Sequence, residues 1–146
     1  CLPKTAWPPT SKEAVSAVKI PDDAHIAVSI HSYAPWDFCG TEDTRSDWGS
    51  DADKQELDTM FQYLDDTFVS KGIPVIIDET GCVNKNENTS ARVAWFSYYL
   101  STAKKHGIKC FIWDNNETKN GFGLLNRKDC TWYYPEIIEA IQNATK

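Results

Sequence analysis

Residues His25–Tyr33 read HIAVSIHSY, and this stretch decides the fold. Successive side chains of an extended chain point to opposite faces, so Ile26, Val28 and Ile30 share one side. Ala27, Ser29, His31 and Tyr33 share the other. The first side is wholly apolar and asks for a cover of helices. The second ends in an imidazole and a phenol. In a closed barrel of parallel strands, outward residues meet the helices and inward residues at the C-terminal strand ends carry chemistry. The stretch fits that layout.

Outward from it, the same unit recurs as a pattern rather than as repeated letters. Four times an apolar run of strand length precedes a helical stretch. The first run, Cys1–Trp7, is short and ends in Pro8-Pro9. Its helix is expected from Ser11 to Lys19, with Thr10 or Ser11 as cap. After His25–Tyr33 comes a polar loop, Ala34–Ser50, long enough to point to function as well as connection. A helix then starts near Asp51, with Leu57, Met60, Phe61, Leu64 and Phe68 on one stripe, and stops at Lys71-Gly72. The third strand, Ile73–Thr80, runs into Asp78-Glu79, and alternation places Glu79 inward with Val75 and Ile77. Thr89 or Ser90 caps the next helix, which carries Val93, Phe96, Leu100 and Ala103 and ends at His106-Gly107. The fourth strand, Ile108–Asp114, turns Phe111 and Trp113 inward and Cys110 outward into a buried position. A glycine-containing loop follows through Asp129, then a last helix from about Pro135 to Gln142.

Strand, helix and glycine in this succession mark parallel β/α units joined by right-handed crossovers. Neither G-x-G-x-x-G nor a P-loop follows any strand, so a nucleotide-binding open sheet has no support. The expected class is α/β: half of a (β/α)8 barrel, four units in one domain spanning residues 1–146. Four units leave open edges and an uncovered inner face. A complementary half-barrel chain, or a two-fold dimer, is expected to complete them.

Composition agrees with a packed domain. The chain has 146 residues, 41% hydrophobic, with six each of Trp, Tyr and Phe, which is enough to bury a core. A net charge of −6, with no run of Lys or Arg beyond pairs, disfavours nucleic acid or an anionic membrane as partner. No segment approaches the ~18 apolar residues of a membrane span. The five cysteines show no CxxC or Cys/His spacing, so a zinc site is disfavoured; no cofactor is expected. Cys39 and Cys82 lie in loops after adjacent strands and are expected within reach of one another. Sequons at Asn88, Asn116 and Asn143 lean slightly toward a secreted protein.

Three successive strand ends carry reactive or aromatic groups: His31 and Tyr33, then Glu79, then Trp113. A carboxylate at a strand end can attack an anomeric carbon. A phenol and an imidazole beside it can hold it ionised and aimed. An indole face can stack on a sugar ring. Taken singly, each has a plainer reading, as a salt-bridge partner, an ordinary hydrogen-bonded histidine or a core tryptophan. Their coincidence at neighbouring strand ends singles them out.

HSYAPWDF (His31–Phe38), GIPVIIDETG (Gly72–Gly81), GIKCFIWDN (Gly107–Asn115) and the tail GFGLLNRKDCTWYYPEIIEAI (Gly121–Ile141) resemble successive segments of glycoside hydrolase family 5. The likeness is nearest to secreted endoglucanases of gut and clostridial type. It implies strands five to eight of a (β/α)8 barrel and retaining endo-hydrolysis of β-1,4-linked glucans or cello-oligosaccharides. It further implies that Glu79 is the nucleophile, that His31 and Tyr33 are the strand-six pair beside it, and that Trp113 lies under the sugar. Trp36 and Trp48 are expected as further glucan-stacking aromatics. The family's usual G-E-F-G is here Asp78-Glu79-Thr80-Gly81, and Asn116 stands where Gly is common. The Arg, His and Asn-Glu pair of the family's first four units, whose Glu is the acid/base, have no match in this chain. The resemblance therefore implies half an enzyme, inactive or weakly active alone. The alternative is a β-glucan-binding remnant without catalysis.

Overall fold

A computed structural model of the chain describes residues 12–23, 25–41 and 45–146. The expected first strand, Cys1–Trp7, and the cap at Thr10 or Ser11 lie outside the described residues. In chain order the elements are α1 (Lys12–Ser16), β1 (Val28–His31), α2 (Trp36–Cys39), α3 (Asp51–Thr67), β2 (Val75–Thr80), α4 (Thr89–Lys105), β3 (Lys109–Ile112), β4 (Leu125–Asn126), β5 (Thr131–Trp132) and α5 (Pro135–Thr145). Strands β1, β2 and β3 form a parallel sheet in that order, with α3 and α4 as its crossovers.

One face of the sheet makes the core. Val28, Ile30, Val75 and Ile77 pack with Leu57, Phe61 and Leu64 of α3 and with Trp95, Phe96, Tyr99 and Leu100 of α4. Burying each such side chain contributes about 1.5–3 kcal/mol. In β1 the expected alternation is what is seen, with Val28 and Ile30 buried and His31 exposed.

β2 corrects the alternation read from the sequence. Val75 and Ile77 face the helices, not inward beside Glu79. Ile30 pairs with Ile77, but the next residue, His31, pairs with Glu79. Asp78 is thus the extra residue of a β-bulge, and bulges re-aim side chains. The parity flips, and Glu79 arrives on the face of His31 instead of among the apolar rings of α4, where a carboxylate would be costly. Thr80 takes the buried side, its Oγ1 donating to Ser32 O at 2.7 Å.

α3 begins with a capping box. Asp53 N donates to Ser50 Oγ at 3.2 Å, and Ser50 N donates to the Asp53 carboxylate at 2.9 Å. A 3-10 turn, Val69–Lys71, follows the helix, and Gly72 at φ +80° ends it where the sequence indicated. At α4 the expected caps are displaced. Thr89 and Ser90 are the first helical residues after Asn88, whose side chain instead accepts from Lys85 N at 2.9 Å. The α5 helix packs on α4 and runs to Thr145, three residues beyond the expected end at Gln142. The hairpin β4–β5 replaces part of the expected loop, its two-residue strands being too short to show any alternation.

The opposite face of the sheet is open. Phe111 is 59% exposed and Trp113 41%. Cys110 points away from them and is half-buried, and burial pushes its thiol up to about 12. Cys39 and Cys82 lie in adjacent segments, with Val83 N donating to Cys39 O at 3.2 Å. Both are buried free thiols, so no bond links them. Burial raises both, Cys82 to about 12.

Candidate active site

Backbone hydrogen bonds tie the three strand ends together. Ser32 N donates to Glu79 O at 2.9 Å, and Trp113 N donates to Thr80 O at 2.8 Å. On this frame the Tyr33 hydroxyl donates to Glu79 Oε2 at 3.1 Å. His31 Nδ1 stands 3.2 Å from the same oxygen, an ion-pair distance. Both contacts fall on Oε2; among the described residues nothing bonds Oε1. Burial first, and then the charge of Glu79, push the Tyr33 phenol far up, so it stays protonated and donates. Asp78 Oδ1 lies 3.5 Å from His31 Nε2, on the other side of the ring.

Aromatic rings surround this group. The Tyr33 ring meets Trp36 edge-on at 6.4 Å and Phe122 at 5.3 Å. Phe122 escaped the sequence reading, although a lone apolar residue between Gly121 and Gly123 was the available signal. A Cβ on Gly81 would come 3.2 Å from Phe122, so that ring uses the space glycine leaves. A Cβ on Gly40 would strike the Trp36 indole at 2.6 Å. Trp36 is 40% exposed.

The loop after Trp113 is held by two acceptors. Asp114 Oδ2 takes Leu124 N and Leu125 N, each at 2.9 Å, and Asn115 Oδ1 takes Phe122 N at 3.0 Å. Burial alone would raise Asp114, but the N–H groups of Leu124, Leu125 and Asn116, with Arg127, outweigh it and hold the carboxyl below its usual range. Asn116 sits at φ +64°, a left-handed conformation that Asn tolerates, which accounts for Asn where glycine is common.

The structure thus brings Glu79, His31 and Tyr33 into contact, sets Trp36 against Tyr33, and places Trp113 at the next strand end. It does not bring Trp48 to them. Trp48 is 9% exposed and packs on Tyr98 of α4 at 5.8 Å, so its faces are not open to a sugar.

Parallel β/α units that end in a braced carboxylate and exposed indoles are the layout of glycosidase barrels. Comparison with known proteins agrees. The family model Cellulase (glycosyl hydrolase family 5) matches residues 2–119. The chain belongs to glycosyl hydrolase family 5, whose fold is a (β/α)8 barrel, and its parallel sheet is part of such a barrel. It is 43% identical to Endoglucanase A of Clostridium longisporum, over 90% of this chain and 26% of that protein. It is 39% identical to Endoglucanase 1 of Ruminococcus albus, over 97% of this chain and 36% of that protein. Among solved structures, a GH5-4 broad specificity endoglucanase from Clostridium longisporum superposes with a TM-score of 0.87 at 39% identity, covering 93% of this chain and 40% of that one. One from Ruminococcus champanellensis with bound cellotriose gives 0.78 at 39% identity, over 91% and 39%. The chain therefore spans well under half the length of these relatives.

Proposed function

We propose that residues 1–146 are the C-terminal half of a retaining endo-β-1,4-glucanase domain, contributing strands five to eight and the nucleophile. The observation that carries this is the bracing of Glu79 Oε2 by the Tyr33 hydroxyl at 3.1 Å and His31 Nδ1 at 3.2 Å, at the ends of adjacent parallel strands. Glu79 Oε1 forms the bond to the anomeric carbon as the glycosidic C–O bond breaks. The departing oxygen takes its proton from an acid on the N-terminal half-barrel. Water then releases the sugar with that same residue acting as base. Trp113 stacks beneath the reacting sugar and Trp36 beneath a neighbouring one. A β-glucan or cello-oligosaccharide is the substrate, and because a glucan polymer does not enter cells, the protein works outside them.

The test assembles this chain with the N-terminal half of a relative and assays β-glucan hydrolysis. Glu79→Gln is expected to abolish turnover while sparing cello-oligosaccharide binding, since the amide keeps the shape but cannot attack. Turnover undiminished in Glu79→Gln sinks the assignment. Binding without turnover by the unmutated assembly favours a binding remnant instead.

A further inference from the structure

The residue before Glu79 is a second carboxylate, Asp78, where the family's usual segment has glycine. It is the bulge residue of β2. Its Oδ1 is shielded from solvent and has no hydrogen-bond partner among the described residues. That oxygen faces His31 Nε2 at 3.5 Å, while Nδ1 of the same ring faces Glu79 Oε2 at 3.2 Å. The imidazole is therefore spanned by two carboxylates from consecutive residues. We propose that Asp78 is a positioning residue, which pins the His31 ring through Nε2 and so keeps Nδ1 on the oxygen of Glu79 that Tyr33 also engages. The inference rests on the reading of Glu79 as nucleophile.

The physical need is plain. The His31 side chain is 47% exposed, and the torsion that turns an imidazole is broad. Engaged only at Nδ1, the ring swings away at little cost, and Glu79 Oε2 loses one of its two anchors. With an N–H at both nitrogens, as in the imidazolium, it is held between the two carboxylates in one orientation. Asp78 does not replace the missing acid. It lies on the same strand as Glu79 and across the His31 ring from it, whereas the acid of a retaining enzyme faces the nucleophile across the scissile bond.

The test reads the nucleophile alone. In the assembled barrel, 2,4-dinitrophenyl 2-deoxy-2-fluoro-β-cellobioside supplies a leaving group that departs as the phenolate with the C–O electron pair and needs no proton. Glu79 forms the bond to the anomeric carbon, and intact mass follows the covalent adduct. Asp78→Ala is expected to lower the maximal labelling rate about tenfold with the half-saturating concentration unchanged, as for a misaimed group. Asp78→Asn, whose amide oxygen can accept from Nε2–H, is expected to recover most of the rate. Labelling of Asp78→Ala at the wild-type rate, or of Asp78→Asn as slowly as Asp78→Ala, overturns the inference. An unlabelled wild type overturns the nucleophile reading itself, which separates the two failures.

Discussion

At the scale of the residue, the Glu79 carboxylate is contacted by neighbours of different character. Tyr33 gives a neutral donor kept protonated by burial and by the carboxylate it serves. A hydrogen bond to a charged group contributes about 1.5–3 kcal/mol. Tyr33 is only half-buried, so the lower figure applies, and Tyr33→Phe is expected to cost roughly tenfold in kcat of the assembled enzyme. The ring contacts with Trp36 and Phe122 survive that change, so the thermal midpoint is expected to fall by only the few degrees that one lost hydrogen bond accounts for. An unchanged kcat with that loss of stability would assign Tyr33 to packing alone.

At the scale of the element, what was legible in the sequence follows from periodicity. β1 and α3 carry clean periods, and their buried sets came out as read. β2 did not, because a bulge is a single extra residue in an apolar run that looks the same in either parity. The position of Glu79 at a strand end was readable; the reason it faces His31 was not. Trp48 was misread for a related cause, since a tryptophan in a long loop shows nothing of whether it points to the cleft or to a helix. The cap of α3 offers a test of element stability. Burial works to raise Asp53, but the bonds from Arg45, Gly49 and Ser50 outweigh it and bring it down to about 2. A depressed folded value means stability that is present above the unfolded value near 3.8 and lost as pH falls toward 2. The advantage of wild type over Asp53→Asn, measured by urea midpoints, is expected to shrink by about 2 kcal/mol between neutral pH and that limit. An advantage unchanged with pH would leave the capping carboxylate without electrostatic weight.

At the scale of the whole molecule, a sheet with one face in the core and the other bearing Phe111 at 59% and Trp113 at 41% exposure calls for a cover. We propose that the family's N-terminal half-barrel supplies it, because the solved relatives continue for more than half their length beyond the part this chain matches. Mixed with that half, the chain is expected to give a one-to-one complex by light scattering, and Phe111→Glu is expected to weaken it by placing a charge in the closing face. A homodimer is the competing arrangement, and it fares worse chemically. Two-fold symmetry sets the mate's Glu79 four strands away around the barrel, whereas the family's two carboxyls are three strands apart. Retention needs carboxyl groups about 5–5.5 Å apart, one of them protonated at the start. A symmetric mate offers a second copy of the same Tyr-braced carboxylate and no distinct environment to give the two copies different roles. The chain alone is therefore expected to hydrolyse little or no soluble β-glucan at any concentration, while the mixed complex does so. Clear turnover by the pure chain, lost in Glu79→Gln, would show that it carries its own acid and that the closing half is not needed for chemistry.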